Sequence, residues 1–142
     1  MNVKCTNSPF LLLMQTSKAI QDRIREEMTK NNLSITEFSV LEVLYYHEKQ
    51  TIQQIGSRIL ISSGSMTYVI DKLEKRGLLM RNDCQNDRRV IHITLTDTGK
   101  ELMMEIMPKH QDLIDHIFDS LTSVEVETIT NLLEKVKNRA EA

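Results

Sequence analysis

The chain has 142 residues, 40% of them hydrophobic, with 18 Lys and Arg against 20 Asp and Glu. This length suits one domain with a real core, about 70% of the unfolded surface being buried at this size, and the charge balance excludes a uniformly basic, indiscriminate nucleic-acid binder. Two Cys do not make a disulfide framework, and no apolar run approaches the ~20 residues of a membrane span, so a cytoplasmic protein with no membrane partner is expected.

A first helix is expected from about Phe10 to Thr29, where Leu13, Ser17, Ile20, Ile24 and Met28 recur at spacings of three and four. Asn31-Asn32 stops it. Ser34 with Glu37 is a capping box for a second helix, with Phe38, Leu41, Leu44 and Tyr45 as its stripe and an end near His47. Thr51 with Gln54 repeats the signal for a short third helix carrying Ile52, Ile55 and Ile59. Gly56 inside it costs about 1 kcal/mol relative to Ala, which points to a close helix crossing. Leu60-Ile61-Ser62 reads as a turn, and Ser62 or Ser63 caps a fourth helix from Gly64 to Arg76 with Met66, Val69, Ile70 and Leu73 inward. Gly77 then falls at the C′ position, where positive φ is wanted.

Leu78 to Asn82 and Val90 to Leu95 read as strands, the second alternating Ile91, Ile93 and Leu95 with His92 and Thr94. A polar tip, Asp83 to Arg89, joins them. Thr96 opens a long helix from Asp97 to about Ser120, marked by Leu102, Ile106, Leu113, Ile117 and Leu121 and interrupted by Pro108, which removes a backbone hydrogen bond. Thr122 with Glu125 starts a last helix with Val124 or Val126, Ile129, Leu132, Leu133 and Val136 inward. The fold expected is mainly α with a small β-hairpin wing.

Two short helices, a tight turn and a hairpin make a winged helix-turn-helix. A major groove about 12 Å wide admits one helix. The third helix braces the fourth, which presents Ser63, Ser65, Thr67 and Tyr68 near its start for base edges, with Lys72, Lys75 and Arg76 further along for phosphates. At the hairpin tip Asp87-Arg88-Arg89 suits an Arg entering a narrow minor groove, with Asp87 holding one guanidinium in a bidentate pair. The charges agree. Residues 51–100 hold 8 basic and 5 acidic side chains, whereas residues 101–142 hold 4 basic and 9 acidic. The basic excess is local to the helix and wing.

The stretches Leu33-Ser34-Ile35-Thr36-Glu37-Phe38-Ser39-Val40-Leu41, Ile55-Gly56, Leu73-Glu74-Lys75-Arg76-Gly77-Leu78, Asp83 through Asp87-Arg88-Arg89, and Leu95-Thr96-Asp97-Thr98-Gly99 resemble the MarR family of transcriptional regulators along nearly the whole chain. Gln53-Gln54-Ile55-Gly56 and the run from Ser63 to Glu74 also resemble its MhqR-type branch, whose members repress quinone and aromatic-compound detoxification genes. The resemblance implies a homodimer on a pseudo-palindromic double-stranded operator. Residues 1–33 and 97–142 would be its dimerisation helices and 34–96 its DNA-binding domain, all in one compact chain. Consecutive Leu11, Leu12 and Leu13 agree, since one of them must face away from its own core. Half-sites about 10 bp apart are expected.

By the same resemblance a small aromatic effector would bind between the dimerisation helices and the DNA-binding domain, with Met14, Phe38, Tyr45, His47, Met107 and His110 as candidate linings. Aromatic rings stack on planar ligands and Met adapts to them. A thiol switch through Cys5, beside Lys4, or Cys84, beside the basic wing, is the alternative. Neither metal nor cofactor is expected, and an enzyme is disfavoured. The chain has no Gly-rich phosphate loop, no Gly-x-Ser-x-Gly elbow and no His-Glu-x-x-His.

Overall fold

Capping boxes set where three of the helices begin. In the computed structural model, which describes residues 4–59, 65–83, 86–87 and 89–142, the order is α1 (Ser8–Thr29), α2 (Ile35–His47), β1 (Lys49–Gln50), α3 (Ile52–Arg58), α4 (Met66–Lys75), β2 (Leu79–Asp83), β3 (Ile91–Leu95), α5 (Asp97–Ile117) and α6 (Ser123–Glu141). Ser34 with Glu37, Thr51 with Gln54, and Thr122 with Glu125 each exchange the two hydrogen bonds of a capping box, at 2.8 to 3.2 Å. Each satisfies two backbone N–H donors at the helix start that the helix itself leaves over. The same hydrogen bonds hold the Glu125 carboxyl below the usual carboxylate range. Among the described residues, no helix is long and apolar enough to cross a membrane.

The chain divides into two compact units, Met1–Met107 and Pro108–Ala142. In the first, α2 is the central element. It packs against α1, α3, α4 and β3, and every residue from Ile35 to Leu44 except Glu42 is buried. The expected single stripe is therefore too narrow, because neighbours cover the helix on several sides. The buried apolar side chains of this unit also include Ile24, Met28, Ile55, Val69, Ile70, Leu73, Ile93, Met103, Ile106 and Met107. On α5 Met103 takes the inward place expected for Leu102.

The two-residue strand β1 is absent from the sequence expectation. It is too short to show alternation, and it is held by pairing Lys49 with Thr94 and Gln50 with Ile93. The antiparallel sheet has the order β1-β3-β2. Gly77 has φ +74° as the helix-ending position requires, with Leu78 N–H bonded to Leu73 O at 3.1 Å. Two further expectations are corrected. The N-cap of α4 is Ser65, placing the helix start at Met66 rather than at Gly64. A Cβ at Gly56 would meet nothing within 4 Å among the described residues, so no close crossing explains that glycine. Gly56→Ala is accordingly expected to raise stability by about 0.5–1 kcal/mol in urea unfolding, through helix propensity alone.

In the second unit α6 has no buried residue. Val124, Leu132 and Val136, expected to face inward, are 70%, 54% and 55% exposed. The first turns of α1 are similar, with Phe10, Leu11, Leu12, Leu13 and Met14 all exposed and burial starting only at Ile24. An apolar stripe that its own chain leaves open is the pattern of a surface made for a partner.

Candidate nucleic-acid interface

The fourth helix shows what its polar residues are not doing. Ser65 is the N-cap of α4, yet its side chain makes no capping hydrogen bond. A Ser at that position ordinarily spends its hydroxyl on the helix; here it stays available to an incoming group. Thr67 and Tyr68 are also exposed, and Tyr68 keeps 67% of its surface. Val69, Ile70 and Leu73 bury the opposite face. Lys72 and Lys75 are exposed on the last turns, and no ion pair among the described residues engages them. Ser63, Arg88 and Cys84 lie outside the described residues.

Arg76 also has partners within the fold. Its Nη1 donates to Asn32 O at 2.7 Å and to Glu37 Oε2 at 3.3 Å. Glu37 is buried, and its other oxygen accepts from Ser34 N–H. Arg76 thus ties the end of α4 to the start of α2 through one nitrogen, while its side chain keeps a third of its surface open. Arg76→Ala leaves a buried carboxylate without its cation and is expected to lower stability by about 1–2 kcal/mol in urea unfolding.

Arg81 on β2, counted at first only in the local charge, is likewise committed, to Asp71 and Glu74 on α4. The hydrogen bond that Arg81 donates to Asp71 does most to hold its pKa above the ordinary guanidinium value, with Glu74 adding to it. Neither partnership could be read from the sequence, because neither has a helical spacing.

The wing tip keeps its cation. Asp87 Oδ1 accepts from Arg89 N–H at 3.0 Å and from Arg89 Nε at 3.2 Å, and the Arg89 side chain is 91% exposed. The pair is therefore not the bidentate fork expected. One carboxylate oxygen steadies both the backbone and the root of the guanidinium, and the two terminal nitrogens remain outward.

Behind the wing, Gly99 is buried against Leu78. A Cβ there would lie 2.0 Å from Leu78 O. Thr96 completes the junction: its hydroxyl donates to Gly77 O at 2.6 Å and accepts from Gly99 N–H at 3.0 Å. Its N–H donates to Leu78 O at 3.2 Å. The run Leu95 to Gly99 is thus the hinge-free joint between wing and α5.

The six candidate lining residues differ in exposure. Phe38 and Met107 are buried in the core, whereas Met14, Tyr45 and His47 are exposed. Tyr45 stands edge-on to Tyr46, with ring centroids 5.7 Å apart. His47 Nε2 lies 3.4 Å from Arg58 Nη1, whose Nε donates to Gln50 Oε1 at 2.9 Å. His110 is half-buried, and burial lowers its pKa. Cys5 is a free, exposed thiol.

A helix-turn-helix whose second helix presents open polar side chains beside a cationic hairpin defines the winged-helix class of transcriptional regulator. Residues 33–91 match the MarR family. The chain is 42% identical over 127 residues to the HTH-type transcriptional regulator MhqR of Bacillus subtilis (strain 168), covering 89% of this chain and 88% of that protein. The chain belongs to the MarR family and is a transcriptional regulator, as its relatives are, rather than an enzyme. Among solved structures, a Cys-to-Ser mutant of E. coli MarR complexed with operator DNA superposes with a TM-score of 0.78 at 24% identity, covering 88% of this chain and 90% of that one. Bordetella bronchiseptica BpsR, studied for regulation of its DNA binding by 6-hydroxynicotinic acid, gives 0.81 at 23%, covering 96% and 98%.

Proposed function

We propose that the chain is a homodimeric, sequence-specific repressor that binds a pseudo-palindromic operator and is released by a small aromatic or quinone-like compound. The observation that carries the DNA reading is the open face of α4, with Ser65, Thr67 and Tyr68 exposed, next to an Arg89 that Asp87 orients outward. Ser65, Thr67 and Tyr68 take base edges in the major groove, Lys72 takes phosphate, and Arg89 enters the minor groove. Ser63 and Arg88, neighbours in sequence of Ser65 and Arg89, belong to the proposed contacts on sequence grounds. Arg76, held to α2 through one nitrogen and a third exposed, lies beside Lys72 at the phosphate end of α4.

The bare apolar faces of α1 and α6 support the dimer, because a second copy covers both by symmetry. The likeness to MhqR, and the small aromatic acid in the BpsR study, support an aromatic effector. Of the residues proposed to meet it, Met14, Tyr45 and His47 keep exposed side chains. The exposed Cys5 supports a second reading, release by thiol oxidation through Cys5 or Cys84.

Mobility shifts on the duplex that the protein selects from a random pool test both. The proposal expects release by a benzoquinone or a planar aromatic acid, and equal release of a Cys5→Ser/Cys84→Ser variant. Release lost only in that variant selects the thiol switch, and no retarded duplex at all overturns the DNA reading.

A further inference from the structure

One guanidinium joins the first wing strand to the fourth helix. Arg81 Nη1 donates to Glu74 Oε1 and Nη2 to Asp71 Oδ1, both at 2.5 Å. The Arg81 backbone N–H also points at Glu74, 3.3 Å from Oε2. β2 is an edge strand of the sheet, so that amide has no strand to pair with, and the Glu74 carboxylate takes its place. Asp71 and Glu74 stand three residues apart on α4 and so share a face. The Arg81 side chain is only 25% exposed. One residue along, Asn82 Nδ2 donates to Thr94 Oγ1 at 2.9 Å and stitches β2 to β3. The chain of contacts therefore runs from α4 through Arg81 to both wing strands.

Two carboxylates on a helix meant to approach phosphate are unfavourable by charge alone. Their retention beside Arg81 needs a gain that charge counting does not supply. A planar guanidinium held by two carboxylates fixes direction as well as distance, which a Lys ammonium cannot do. We propose that Arg81 is a positioning residue for DNA recognition: it locks the wing at a set angle to α4, so that the base-reading side chains and Arg89 reach their neighbouring grooves together. This rests on the DNA reading above and adds a residue that never touches DNA. Arg81 supplies alignment, and Asp71 and Glu74 are its anchors.

The test uses full-length Arg81→Met, Arg81→Lys, Asp71→Asn and Glu74→Gln, and the duplex that wild type selects from a random pool. Titrations at several salt concentrations are expected to show Arg81→Met and Glu74→Gln each weakening binding about tenfold, as loss of a charge-assisted bond implies. The slope of log affinity against log salt should stay at the wild-type value. An Arg81→Met/Glu74→Gln double variant should bind no worse than Arg81→Met, and Arg81→Lys should recover only part of the loss. Tighter binding by Asp71→Asn or Glu74→Gln overturns the proposal, because charge alone then governs. So does a slope reduced by about 0.9 per protomer on losing Arg81, which would make Arg81 a phosphate contact.

Amide hydrogen exchange on the free proteins decides the lock without DNA. Faster exchange across residues 79–83 and 91–95 in Arg81→Met is expected, and unchanged exchange there overturns it. If wild type selects no duplex, the DNA reading fails while the exchange result still stands.

Discussion

Arg89→Ala is expected to weaken binding to the selected duplex by about ten- to a hundredfold and to leave unfolding by urea within about 0.5 kcal/mol of wild type. The split follows from geometry. Arg89 is 91% exposed and its one ion pair among the described residues is with Asp87, so the fold has little to lose. In a narrow minor groove the same guanidinium meets the strongest negative potential that the duplex offers. Losing one such contact per protomer should also lower the salt slope by about 0.9 per protomer. Asp87→Ala should cost less affinity than Arg89→Ala and leave the slope unchanged, since the cation remains and only its direction is lost. Equal affinity of Arg89→Ala and wild type throughout a salt titration removes the wing from the interface.

Gly99→Ala carries the largest expected effect on the fold, a loss of about 2–4 kcal/mol in urea unfolding. The added methyl would sit 2.0 Å from a backbone carbonyl, that of Leu78. No rotamer change relieves a clash between a Cβ and a backbone oxygen. Either α5 moves out or Leu78 moves back, and Leu78 is buried at the start of the wing. The hydrogen bonds that Thr96 makes to Gly77 and Leu78 then lengthen as well. A stability within about 0.5 kcal/mol of wild type would show that the joint is looser than this geometry describes.

Much of the architecture was legible because it is written locally. Three capping boxes, the positive-φ glycine after α4 and the alternation of β3 are all signals within a few residues, and each forms, save that Ile91 at the outer end of β3 stays exposed while Ile93 and Leu95 are buried. What was not legible depends on residues distant in sequence. β1 exists only because β3 offers it a partner. The carboxylate partners of Arg76 and Arg81 follow no helical spacing, and Arg76 and Glu37 are separated by the rest of α2, by α3 and by α4. Gly99 was noticed as part of a recurring pattern, but its reason is a carbonyl twenty-one residues away.

The inward faces expected on α6 fail for a different reason. Periodicity reveals that a stripe is apolar, not which molecule covers it. In one copy of the chain Val124, Leu132 and Val136 stay open. The net charge has a similar limit. Arg76 and Arg81 of the central segment have carboxylate partners on other elements of the fold, while Lys72, Lys75 and Arg89, the last paired with Asp87 beside it, are exposed.

Hydroxyl-radical footprinting of the selected duplex tests the central claim most directly. A dimer that places one α4 and one wing on each half-site predicts two symmetry-related protected patches centred about 10 bp apart, both weakened by Arg89→Ala. A single protected patch, or two patches untouched by that substitution, would contradict it.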